Sequence, residues 1–89
     1  MEFEFDAQKS ASNKDKHGVD FVEAQAIWLD DRRMMAPVPF DGETRYILTG
    51  VIGDKHWTAV FTLREQRVRI ISVRRARDAE RHRYESDYR

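Results

Sequence analysis

The stretch TRYILTGVIGDKHWTAVFTLREQRVRIISVRR, residues 44–75, decides the fold. Thr44 to Ile52 and Lys55 to Arg64 are dense in β-branched and aromatic residues, and Gly53-Asp54 between them is a two-residue hairpin signal with glycine first. Alternation puts Trp57, Ala59, Phe61 and Leu63 on one face of the second of these strands. A tight turn near Glu65-Gln66 leads into Arg67 to Arg75, where a strict period of two sorts Val68, Ile70, Ser72 and Arg74 from Arg69, Ile71, Val73 and Arg75. The expectation is a three-stranded antiparallel meander.

Downstream, Arg77 to Arg89 has helical composition but few apolar groups, and Ala76, Glu80, Tyr84 and Tyr88 recur every fourth residue as its docking stripe. Upstream, Asp30, Asp31, Pro37, Pro39 and Gly42 punctuate residues 30–43, which read as a loop with a short extended piece from Arg33 to Ala36. Before it, Asp20 and Glu23 form a capping-box pattern with Asp in place of Ser or Thr, and Phe21, Ala24 and Trp28 with Val22, Ala26 and Leu29 make an apolar stripe. That predicts the main core helix at residues 21–29. Asp6 as N-cap and Gly18 as C′ residue bound a first helix at 7–16. Phe3 and Phe5 alternate with Glu2 and Glu4, as in a strand at 2–5. The expected order is β-α-α-β-β-β-α, an α+β fold whose antiparallel sheet is flanked by α-helices segregated to one face, in a single domain spanning residues 1–89.

The 89 residues leave no room for a multi-domain enzyme. The chain contains no cysteine, so disulfide and zinc-thiolate scaffolds are excluded, and the composition fits a cytoplasmic protein. Its apolar runs are far shorter than the roughly 20 residues a membrane helix needs, so no membrane association is expected. The net charge of zero conceals an asymmetry: residues 1–31 carry eight acids against three lysines, and residues 64–89 carry nine arginines against five acids. Guanidinium is the fork-shaped partner of phosphate and carboxylate, so this clustering points to a polyanion or an acidic protein as partner.

No metal-ligand spacing joins His17, His56 and His82, and no Gly-rich phosphate loop or nucleophile elbow occurs, so neither a metal nor a cofactor is expected. What remains is a polar set on or beside the last strand and helix, Arg64, Arg69, Ser72, Arg74, Arg75, Glu80, Arg81 and Tyr84, together with Lys14, Lys16 and His17 at the end of the first helix. Metal-free RNA cleavage by the neighbouring 2′-hydroxyl needs such a set: a base, cations for the phosphorane charge, and a proton donor for the leaving oxygen. Each residue also has a structural reading. His17 suits a helix C-terminus, the arginines suit a solvated sheet face, Ser72 suits a small buried hydroxyl, and Glu80 with Tyr84 suits a hydrogen-bonded pair docking the last helix.

Two separated motifs carry a resemblance. Phe3-Glu4-Phe5-Asp6, Lys9, Asn13, Lys16-His17-Gly18-Val19 and Phe21-Val22-Glu23-Ala24 open the chain, and Arg69-Ile70-Ile71-Ser72-Val73-Arg74-Arg75-Ala76 with Glu80-Arg81 and Tyr84-Glu85 closes it. This pattern resembles the BrnT toxins of bacterial type II toxin–antitoxin modules over nearly the whole chain. The resemblance implies a fold like that of the RelE ribonuclease toxins, an RNA-cleaving activity that blocks translation, and neutralisation by a BrnA-type antitoxin with a ribbon-helix-helix domain, through which alone the complex would bind promoter DNA. Phe5 stands where the family commonly has Trp, Trp28-Leu29-Asp30 replaces a more usual Phe-containing segment, Asp31 to Glu43 agrees least, and Arg45 matches an arginine that usually follows a Glu.

The leading expectation is a metal-independent ribonuclease in which Arg69, Arg74, Arg75 and Arg81 hold the phosphate, His17 or Glu80 acts as base, and Tyr84 or Lys16 takes part, with Arg45, Arg64 and Ser72 as further RNA contacts. The competing expectations are a non-catalytic binding module and a degenerate toxin kept as a corepressor.

Overall fold

A computed structural model describes residues 1–86; the Tyr88 member of the proposed docking stripe lies outside them. The meander forms as read. Strands β3 (Glu43–Ile52), β4 (Lys55–Arg64) and β5 (Arg67–Arg75) pair antiparallel. Gly53 takes the positive φ of 64° that the first position of its hairpin turn requires. At the next turn both Glu65 (φ 49°) and Gln66 (φ 71°) are left-handed, a conformation that non-glycine residues hold at a cost.

Two further strands enlarge this sheet to the order β1-β5-β4-β3-β2. Strand β1 (Phe3–Glu4) runs parallel to β5, with Phe3 opposite Val68 and Glu4 opposite Arg69. Strand β2 (Met34–Phe40) corrects the loop expected at 30–43: it pairs antiparallel with β3 from Met34 opposite Thr49 to Phe40 opposite Glu43, closed by Asp41-Gly42. Pro37 and Pro39 are compatible with a strand here because β2 is an edge, and residues two apart turn their missing N–H groups to the same side, away from β3.

Helix α1 (Ala7–His17) has the expected caps: Asp6 Oδ1 accepts the Gln8 and Lys9 amides, and Gly18, at φ 88°, donates its N–H to the Lys14 carbonyl. The second helix is the main departure in winding. The capping box forms, with Asp20 Oδ1 accepting the Glu23 amide and Glu23 Oε1 accepting that of Asp20, but residues Glu23–Leu29 wind as a 3₁₀ helix. In a 3₁₀ helix side chains three apart eclipse, so Phe21, Ala24 and Ile27 line up in the core, all at most 1% exposed, and Val22 and Leu29 of the expected stripe face solvent. Gly50 permits this close approach: a Cβ there would sit 3.0 Å from Ile27 Cγ2. The element order is therefore β-α-3₁₀-β-β-β-β-α, mixed α+β, ending in α2 (Asp78–Ser86).

The core lies between the 3₁₀ helix and one sheet face, where Phe21, Ala24, Ile27, Leu48, Trp57, Ala59, Phe61, Ile70 and Val73 meet. Helix α2 packs on the other face, since Thr58, between core-facing Trp57 and Ala59, hydrogen-bonds Glu80 of α2. The helices are thus divided between both faces and not segregated to one. Side chains also bind the sheet's backbone edges. Past the short β1, the buried Asn13 carboxamide donates to the Val73 carbonyl and accepts the Val73 amide. Past the start of β2, Asp30 Oδ2 accepts the Val51 amide. No helix among the described residues is long and apolar enough to cross a membrane.

Candidate functional site

The strand register decides which polar residues share a surface. A register shift between β4 and β5 at Val60/Phe61 leaves Ile71 without a partner, so Ile70 and Val73 both face the core. The strict alternation expected for β5 is broken there: Val73 shares a side with Val68 and Ile70, and Ser72 and Arg74 share one with Arg69. Opposite pairs share a face, so Arg69 opposite Thr62, Ser72 opposite Val60 and Arg74 opposite Thr58 all project on the side of α2. Arg64 and Arg67, opposite each other, extend this face, and so does Arg45, whose neighbour Tyr46 stacks on core-facing Phe61. The register of three strands thereby assembles Arg45, Arg64, Arg69, Ser72 and Arg74 on one surface.

Most of these guanidiniums are already paired. Arg69 meets Glu4 at 3.0 Å, Arg67 meets Glu2 at 3.0 Å, and Arg45 meets Glu43 at 3.0 Å while lying 3.5 Å over the Phe40 ring. Exposed Arg64 makes no ion pair among the described residues. Such exposed or half-exposed pairs are worth about 0–1 kcal/mol and exchange readily for phosphate. Arg75 points elsewhere: it shares the side of its partner Trp57, with its Cζ 5.5 Å from the indole centre and its Nε donating to the His56 carbonyl at 3.3 Å. Arg81 is exposed and pairs with Asp78 at 3.2 Å. Lys16 and His17 are exposed at the end of α1.

Arg74 and Glu80 form a different kind of pair. Arg74 donates from Nη1 to Oε1 at 2.8 Å and from Nη2 to Oε2 at 2.9 Å, and Glu80 Oε1 also accepts the Arg77 amide and the Thr58 hydroxyl, itself bonded to Thr49. Arg74 holds the carboxyl at about 2, against the cost of burial and with help from Arg77 and Thr58. The expected Glu80–Tyr84 pair does not form. Tyr84 donates instead to Asp30 Oδ2 at 2.7 Å, so the two residues dock α2 to different places.

Asp30 and His56, neither singled out by sequence reading as site residues, join Tyr84 around an open pocket of about 780 Å³ between the end of the 3₁₀ helix, the β3–β4 hairpin and α2. The His56 ring packs edge-on against Tyr84 with centroids 5.1 Å apart, and its Nε2 lies 3.8 Å from Glu85 Oε2. Burial pushes the Asp30 carboxyl up, but hydrogen bonds from Tyr84 and the Arg32 and Val51 amides outweigh it, so the group is held below its ordinary value. Alternation in β4 was the available signal for His56, which falls opposite in phase to Trp57 and in phase with Thr58. Among the described residues no group of three or more His, Asp and Glu is gathered as a metal site.

The model of the ribonuclease toxin BrnT of type II toxin–antitoxin systems matches residues 5–80. The chain belongs to the BrnT family. Among curated proteins none matches it. The BrnT match spans α1, the 3₁₀ helix, strands β2 to β5 and the start of α2 through Glu80, and Tyr84 and Glu85 lie beyond it. The family is one of ribonuclease toxins of type II toxin–antitoxin systems, which implies an antitoxin partner.

Proposed function

We propose that this BrnT-family chain cleaves RNA without a metal ion, by attack of the 2′-hydroxyl on its neighbouring phosphate, and so blocks translation in the cytoplasm. The observation that carries the reading is the arginine face of the sheet. Arg45, Arg64 and Arg69 follow the RNA backbone there, Arg45 and Arg69 exchanging weak carboxylate partners for phosphates, and their charge opposes that developing on the phosphorane. Ser72 adds a hydroxyl on the same surface, and Arg81 and Lys16 extend the cationic rim.

Arg74 and Glu80 act together. A carboxylate held at about 2 by a bidentate guanidinium is a weak proton acceptor at neutral pH, so Glu80 orients Arg74 towards the phosphate and fixes α2. With Glu80 so engaged the proton acceptor is a histidine, and Tyr84 contributes through the Asp30 pocket. A BrnA-type antitoxin with a ribbon-helix-helix domain neutralises the chain by covering the arginine face with acidic segments, and the complex reaches promoter DNA through the antitoxin.

The test is incubation of antitoxin-free chain with labelled single-stranded RNA in EDTA, beside Arg64→Ala, Arg69→Ala and His17→Ala. Cleavage leaving 2′,3′-cyclic phosphate, weakened in the arginine variants, is the expected result. A folded chain that binds RNA without cutting it would establish the binding-module or corepressor reading instead.

A further inference from the structure

We propose that the pocket lined by Asp30, His56, Tyr84 and Glu85 is the acid–base centre of this cleavage, with the His56 imidazole as the group that takes the 2′-hydroxyl proton; this rests on the ribonuclease reading above. Three observations converge on it. The pocket, about 780 Å³, falls within the 300–1,000 Å³ of small-molecule sites, room for a nucleotide. His56 stands on its wall with its side chain 20% exposed, so the ring is reachable yet held. Its orientation is set by the edge-on contact with Tyr84 at 5.1 Å, which fixes the ring plane, and Glu85 Oε2 stands 3.8 Å from Nε2.

The residues behind the imidazole are in turn fixed. The Tyr84 hydroxyl is bound to Asp30, Asp30 is bound to the Val51 amide of β3, and the His56 backbone carbonyl accepts the Ala76 amide at 3.0 Å and Arg75 Nε. A base on a strand, braced by a helix and a carboxylate, is the rigid support that proton transfer at a set position requires. Cations stand close to it. Arg32 lines the pocket, and Arg74 projects from the position opposite Thr58, two residues along β4 from His56. On this proposal the RNA strand runs along β4 from Arg64 past Arg74, which brings a later phosphate to the imidazole.

In the step itself, His56 removes the proton from O2′ as the O2′–P bond forms. The P–O5′ bond breaks on the opposite side of phosphorus, and O5′ takes a proton from water at the open mouth. The imidazolium then returns its proton to solvent. The products are a 2′,3′-cyclic phosphate and a 5′-hydroxyl, with no net change in the protein.

The experiment measures single-turnover cleavage of RNA in EDTA by the parent chain, His56→Gln, His56→Ala with and without added imidazole, Glu85→Gln, and His82→Ala as an exposed control. Binding is measured in parallel with a 2′-O-methyl RNA that cannot be cut. His56→Gln should lose 10²–10⁴-fold in rate while binding the uncleavable RNA within about twofold, and imidazole should restore part of the rate to His56→Ala. Glu85, on the exposed side of α2, can be changed without endangering the fold, and Glu85→Gln should slow cleavage several-fold. Parent-like cleavage by His56→Gln, or cleavage lost in His17→Ala alone, would overturn the assignment and leave the ribonuclease reading standing. A folded parent that binds RNA and cuts none would overturn both.

Discussion

The Glu80 carboxylate takes both Nη atoms of Arg74, the Thr58 hydroxyl and the Arg77 amide with the residue only 7% exposed. Its ionised form is preferred in the folded chain, since Arg74 holds the group at about 2 against 4.5 ordinarily. The contribution is on the order of 3 kcal/mol, fully present above the ordinary value and lost as acidification passes from there towards the folded one. Thermal melts should therefore show Glu80→Gln less stable than the parent at pH 7 by about that amount, with the gap closing between pH 4.5 and 2. A gap that persists unchanged at pH 2 would mean that packing and not charge carries the effect. Removing the partner instead, as in Arg74→Ala, strands a buried carboxylate at a cost of about 3–5 kcal/mol, so lost activity in that variant would report folding as much as chemistry. Arg64 and Arg69 are the cleaner probes of RNA contact.

At the scale of elements, the meander, helix α1 and both of its caps were legible because each rests on local chemistry: alternation, a Gly-first turn, an Asp before a helix and a Gly after one. What escaped depended on neighbours. Strand β2 was hidden by Pro37 and Pro39, which are tolerable only on an edge, and edge position is a property of the whole sheet. The 3₁₀ winding of residues 23–29 answers the close seat of Ile27 on Gly50, and the register shift at Val60/Phe61 reversed the faces after Ile71. The arginine face was legible as a cluster of residue types but not as a surface, and the Asp30–Tyr84–His56 pocket joins residues from three elements with no common spacing. The β4–β5 turn retains strain in Glu65 and Gln66, exposed residues holding left-handed φ values. Replacing the pair by Asn-Gly should raise stability by about 1–2 kcal/mol, read as a higher urea midpoint with the slope unchanged. An unchanged midpoint would show that the turn relaxes without cost.

Across the whole molecule, the acidic start and basic end of the chain are folded onto each other. Parallel pairing of β1 with β5 sets Glu2 and Glu4 beside Arg67 and Arg69, so part of the charge that suggested an external anion is answered internally. Glu4 then competes with RNA for Arg69, and the competition has a measurable sign. With Glu4→Gln, Arg69 keeps its place on β5 but loses its carboxylate, and the pair it leaves is a half-exposed one worth no more than about 1 kcal/mol to the fold. The variant should bind 2′-O-methyl RNA more tightly than the parent, and log K should fall more steeply with log salt, by a slope of roughly 0.7 for the one added phosphate contact on a single strand. Arg69→Ala should lack that gain whether or not Glu4 is also changed. If Glu4→Gln binds no better and its salt slope is unaltered, Arg69 serves β1 docking alone and the RNA track runs through Arg45 and Arg64 without it.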